Sequence, residues 1–138
     1  SDLVCGILSG TLASLTGIFV LCMLFGFNHQ QYVTMLPKSI TTAIGIGISE
    51  ELGGIVTITV AVIIITGILG NVIADTVFHI FKIKNPLAKG LALGTASHAI
   101  GTARAIEMGP VEGAMSSLAV AVAGLLTVVF VSGFAQLI

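Results

Sequence analysis

The chain has 138 residues, 56% of them hydrophobic and only 8% charged, with a net charge of −1 and a mean hydropathy of +1.16. A soluble domain carries charge on about a quarter of its residues, so the composition argues against a soluble globular enzyme and for an integral membrane protein. With no basic surface and no Lys/Arg cluster interleaved with aromatics, nucleic acid is not expected as a partner.

In chain order, the first uncharged run is Leu3 to Phe27, longer than the roughly 20 residues a helix needs to cross the hydrocarbon core. A first span over about 3–27 is therefore predicted. Cys5 and Cys22 both fall in it, roughly 25 Å apart along a helix and too distant for a disulfide. Neither has a Cys or His partner at ligand spacing, so no metal or cofactor is expected. The start "SDLVCGILSG" has no methionine and no basic n-region, and reads as that of a fragment.

A segment over about 28–53 follows, with "LPKSITTAIGIGISEELGG" at its heart. Its eleven uncharged residues, Ser39 to Ser49, are too few for a full span. Its Gly, Ala, Ser and Thr content is that of a broken or re-entrant helix packed against neighbours. Pro37 ends or kinks the preceding helix, and Lys38 reads more readily as a solvated loop lysine than as a binding group. Glu50 and Glu51 look like the exposed end of a short helix.

The second span is predicted over about 52–74. Its "GGIVTITVAVIIITGILG" would pass for a buried parallel strand in a soluble α/β protein, but such a strand normally ends after about 4 to 8 residues. In lipid a helix satisfies its own backbone groups, and helix is the reading preferred. Asn71, Asp75 and His79 recur at i, i+4 and i+8, with Lys82 following. Asp75 is a candidate for ion coupling if it faces the bundle interior; a helix end emerging into water is the more ordinary reading. Lys82, Lys84 and Lys89 mark the loop beyond as cytoplasmic by the positive-inside rule.

A second broken segment is predicted over about 84–109, with fourteen uncharged residues from Gly90 to Ala103, and a last span over about 113–138. Shifting the chain by 56 residues lays "TTAIGIGISEELGG" (41–54) on "SHAIGTARAIEMGP" (97–110), with five identities in fourteen positions. The two broken segments thus form a candidate internal repeat. If both are re-entrant, the single span between them puts them on opposite faces as an inverted repeat whose tips approach one another; if each crosses once, they are parallel. The expected fold is an all-α integral membrane protein, a multi-span helical bundle with two broken or re-entrant segments.

The repeat aligns Thr41 with Ser97, each a candidate N-cap, and Thr42 with His98 in the first turn. Two half-helix N-termini facing a cavity offer free N–H donors and positive potential to a carboxylate or other small anion. Ser39, Thr41, Thr42, Ser97, His98, Thr102 and Arg104 are the substrate-binding candidates. Arg104 either clamps the anion from two turns along, or pairs with Glu107 or snorkels to headgroups. His98 either binds substrate or carries a coupled proton, or is a neutral ring bonded to a backbone carbonyl. No G-x-S-x-G, H-E-x-x-H or Walker lysine is present, so no catalytic residue is assigned and an enzyme is not expected.

At "LPKSITTAIGIGISEELGG" and "LAKGLALGTASHAIGTARAIEMGPVEGAMSSLA" the chain resembles the C-terminal portion of the LrgB/CidB family of bacterial membrane proteins, whose plant relatives include the plastidal glycolate/glycerate translocator. Ala43 stands where that family commonly carries proline, and a family Gly-Pro pair is missing near Ala74 and Asp75. The resemblance implies a bacterial cytoplasmic membrane, or a plastid inner envelope in a plant. It implies transport of small carboxylates such as pyruvate, glycolate or glycerate, or alternatively a holin/antiholin-like modulation of murein hydrolase activity and lysis. It also implies a homo-oligomer and an LrgA/CidA-type membrane partner. Transport is the reading preferred here, because the aligned caps supply convergent polar groups. Gly6-x-x-x-Gly10 and Gly109-x-x-x-Gly113 are the only hint of helix self-association.

Overall fold

The computed structural model describes residues 2–138. Six helices account for most of them: α1 (Asp2–Phe25), α2 (His29–Met35), α3 (Thr42–Leu52), α4 (Val56–Ile80), α5 (Pro86–Met108) and α6 (Pro110–Ala135), with no strand among the described residues. The Ile/Val/Thr-rich run that could pass for a strand is α4. Helices α1, α4 and α6 are each long and apolar enough to cross a membrane. Whereas the uncharged run stops at Ala74, α4 continues through Asp75 and His79 to Ile80, and the exposed Asp75 side chain meets Arg104 there.

Helix ends follow local chemistry. Before α2, Asn28 accepts the Gln31 N–H at 2.8 Å while the Gln31 side chain accepts the Asn28 N–H at 3.0 Å, a reciprocal capping box. Before α5, the Asn85 side chain accepts the Leu87 N–H at 2.9 Å, and Pro86 takes the first helical position, where its missing N–H costs nothing.

Two stretches double back. Within α5, Ser97 (φ −130°, ψ 15°) and His98 (φ 44°, ψ −138°) leave the helical conformation. Phe78, near the C-terminal end of α4, clusters with Leu93 before that break and with Ala105 after it, so both limbs of α5 lie along the same end of α4. At Gly101 an added Cβ would lie 2.6 Å from Ser97 Cβ and 2.9 Å from Leu93 O, a separation of the limbs that only glycine permits. The other reversal joins α2 to α3. Tyr32 packs beside Ile18 and Cys22 near the C-terminal end of α1, Ser39 reaches Ser14 at the middle of α1, and Ser49 returns to Thr59 near the start of α4.

The interior is polar by the standards of a water-soluble core. Thr11, Ser39, Ser49, Thr59, Ser97, His98, Thr102, Ser116 and Thr127 are all buried, while Leu24 (74% exposed), Val72 (71%) and Val129 (70%) face outward. Hydrocarbon outside and satisfied polar groups inside suit a lipid solvent; among the described residues no buried side-chain nitrogen or oxygen lacks a partner. One such bond closes the far end of the bundle: the fully buried Tyr32 donates from its hydroxyl to Phe134 O at 2.6 Å. Tyr32→Phe should lower stability by about 1 kcal/mol, measured as a small fall in the unfolding temperature of detergent-solubilised protein.

Candidate functional site

The break in α5 is held from three sides. His98 Nε2 donates to Ile63 O of α4 at 2.8 Å, which fixes the ring proton on Nε2. Asn71 of α4 donates from Nδ2 to Ile100 O at 2.9 Å. Thr102 Oγ1 donates to His98 O at 2.9 Å and shares a 2.7 Å bond with Ser116 Oγ of α6. These bonds tie the start of the second limb of α5 to α4 and to α6. His98 is held in a left-handed conformation that a non-glycine residue adopts only at a cost, and the three contacts keep it there.

The loop before α3 is built around Lys38. Its Nζ donates to Ser39 Oγ at 2.6 Å and to Ser14 Oγ at 3.4 Å, and Ser14 Oγ donates to Ser39 Oγ at 3.1 Å. The expectation of a solvated loop lysine therefore fails: the ammonium is half-buried and meets only hydroxyls, because the reversal carries the loop inward to the middle of α1. Among the described residues the ion pairs belong to Arg104 alone, so Lys38 has no carboxylate partner. A cleft of about 670 Å³ runs along α1 and α5, with Asp2 and Asn85 towards one end of these helices and Ser14, Lys38, Ser39 and Thr95 further along them. An ammonium with hydroxyl partners and no counter-ion, in such a cleft, is fitted to receive a small anion.

The binding candidates named from sequence divide among these two places and a third. Ser39 lies in the Lys38 cluster. Thr41 takes the N-cap position of α3, yet its hydroxyl makes no capping bond, and Thr42 begins that helix. Ser97, His98 and Thr102 gather at the α5 break. Arg104 sits apart from them in an exposed ion triad, donating through Nη1 to Glu107 Oε2 at 2.7 Å and through Nη2 to Asp75 Oδ2. Asp75, the ion-coupling candidate, is 61% exposed and engaged there. Exposed ion pairs contribute little to stability, so Arg104→Gln and Glu107→Gln should leave the yield of detergent-extracted protein equally unchanged. Ser14 and Ser116, hydroxyl side chains in apolar runs, carry no local signal of what they face; Asn71 belongs to the polar stripe with Asp75 and His79, yet its own partner is Ile100 O rather than an ion or substrate group.

Among the described residues, no group of three or more His, Cys, Asp or Glu side chains is placed to hold a metal ion. A family model described as LrgB-like family matches residues 1–137. The antiholin-like protein LrgB of Bacillus subtilis (strain 168) is 40% identical over 137 residues, covering 99% of this chain and 59% of that protein. The proteins of the same name in Bacillus cereus (strain B4264) and Bacillus anthracis (strain CDC 684 / NRRL 3495) are each 42% identical over 128 residues, covering 93% of this chain and 56% of theirs. The chain thus spans a little over half the length of these relatives. No solved structure matches it.

Proposed function

Since the chain belongs to the LrgB-like family, we propose that it acts as an antiholin-like membrane protein, restraining murein hydrolase activity and lysis without itself catalysing a reaction. It is an integral protein of the cytoplasmic membrane. The observation that carries the proposal is the match along nearly the whole chain to relatives named antiholin-like. Production of the protein in cells deleted for their own copy should slow detergent-triggered autolysis and weaken murein-hydrolase bands on zymograms. An unchanged lysis rate at normal membrane abundance would overturn it. An LrgA/CidA-type subunit or a second copy of the chain is the partner expected in that role, detectable by crosslinking in the membrane.

The Lys38 cleft favours a second reading, a carrier for small carboxylates. Its two reversals would then form an inverted pair of re-entrant hairpins, one entering from each face, with Lys38 and Ser39 at one tip and Ser97 and His98 at the other. The expected result is saturable uptake of a carboxylate such as pyruvate into liposomes holding the purified protein. Indiscriminate leakage of solutes, or no flux, would remove the carrier reading and leave the antiholin-like one standing.

The orientation follows from the lysines and is the same under either reading. Lys82, Lys84 and Lys89 belong with Arg104 at the end of the bundle where α4 finishes and both limbs of α5 begin and end. Among the described residues, the ionisable acid and base side chains at the far end, where α2 begins and α3 finishes, are His29, Glu50 and Glu51, with no lysine or arginine. The lysine-bearing end is therefore cytoplasmic. A cysteine at position 84 should resist impermeant thiol reagents in intact cells and react after permeabilisation.

A further inference from the structure

Beyond the cleft of Lys38, the turn from α4 to α5 encloses a second one. A cleft of about 560 Å³ is lined by Asp75, Phe78, His79, Lys82, Lys84 and Lys89, among other residues. It lies at the end of a membrane-crossing helix, where the chain leaves the apolar span. None of the three lysines is paired with a carboxylate among the described residues; Asp75, the acid in the lining, is already engaged by Arg104. Lys89 is held with its Nζ 5.9 Å from the centre of the Phe78 ring, within cation–π range.

The turn itself is unusual in what it spends a residue on. Lys82 adopts φ 56°, and the turn is closed by the Lys82 N–H to His79 O at 3.2 Å and the Ile83 N–H to Phe78 O at 2.9 Å. That is a helix stop for which glycine is the strain-free residue. A lysine held there, next to two more unpaired lysines, places cationic charge at the membrane boundary at a conformational cost that a merely structural turn would avoid.

We propose that this cleft binds the phosphate headgroup of an anionic phospholipid of the cytoplasmic leaflet. Phosphate offers the several acceptor oxygens that three ammonium groups need, and a headgroup arrives tethered at the depth where the span ends, beside the Phe78 ring. A free phosphate ion shares the first chemistry and lacks the second, so the two sources separate by experiment. The site is independent of whether the protein restrains lysis or carries carboxylates.

The test is native mass spectrometry of the full chain released from nanodiscs containing equal phosphatidylglycerol and phosphatidylcholine, with unfolding temperature measured in parallel. The wild-type protein should retain phosphatidylglycerol over phosphatidylcholine, and 10-fold more inorganic phosphate than lipid should not displace it. Lys82→Gln/Lys84→Gln/Lys89→Gln should lower that preference about tenfold or more, and the corresponding triple arginine variant should keep it. Lys82→Gly guards against misfolding, because it relieves the left-handed strain: it should hold or raise the unfolding temperature in detergent while weakening lipid retention. Equal retention of the two lipids, retention unaffected in the triple glutamine variant, or displacement by inorganic phosphate would each overturn the proposal.

Discussion

Gly70→Val should be the most damaging single substitution in the membrane core. A Cβ at position 70 of α4 would fall onto Ser97 Oγ and lie 2.5 Å from Ser97 Cβ. Ser97 cannot retreat freely, because the turn it begins is tied to α4 through His98 and Asn71 and to α6 through Thr102. Overpacking of this kind costs about 1–3 kcal/mol, and valine adds two further methyl groups to the clash. The expected outcome is a large fall in membrane abundance and in unfolding temperature. Gly47→Ala is the control: nothing lies within 4 Å of a Cβ there, and alanine is the better helix former, so stability should hold or rise. The contact is specific enough for a double-mutant cycle, in which Ser97→Gly should restore much of what Gly70→Ala removes. Additive losses would mean that the two residues do not meet.

Lys38→Met separates the fold from the candidate binding site. Replacing a desolvated charge with an apolar side chain of similar length is often neutral or stabilising, and Ser14 and Ser39 remain within 3.1 Å of each other when the ammonium is gone. The unfolding temperature should therefore hold or rise. If the cleft receives carboxylates, saturable flux per reconstituted molecule should drop by about tenfold or more, the loss of one charge-assisted hydrogen bond at a site with few others. Lys38→Arg should retain part of the flux, because charge persists while shape changes. Unchanged flux in Lys38→Met would remove the lysine from the site, and a collapse of membrane abundance would make its role structural.

The fold class needed only the sequence. Sparse charge and three uncharged runs of spanning length are read one residue at a time against a fixed hydrocarbon thickness, and they suffice for an all-helical integral membrane protein with spans near the observed α1, α4 and α6. Motif-level resemblance likewise sufficed for the family. Pairings did not yield in this way. Tyr32 meets Phe134 across 102 residues, His98 meets Ile63 across 35, and Arg104 meets Asp75 across 29; nothing in the local pattern of either partner specifies the other. Lys38 shows the consequence most sharply, since its loop reads as solvated until α2 and α3 fold back and carry it inward to Ser14. The reason lies in the solvent. In water an apolar stripe tells which face of a helix is buried, but in lipid the exposed faces of α1, α4 and α6 are at least as apolar as the packed ones, so apolarity does not mark the buried side. Sequence alone therefore established that these helices lie in the membrane, and tertiary structure alone decided which side of each turns inward and which polar groups meet there.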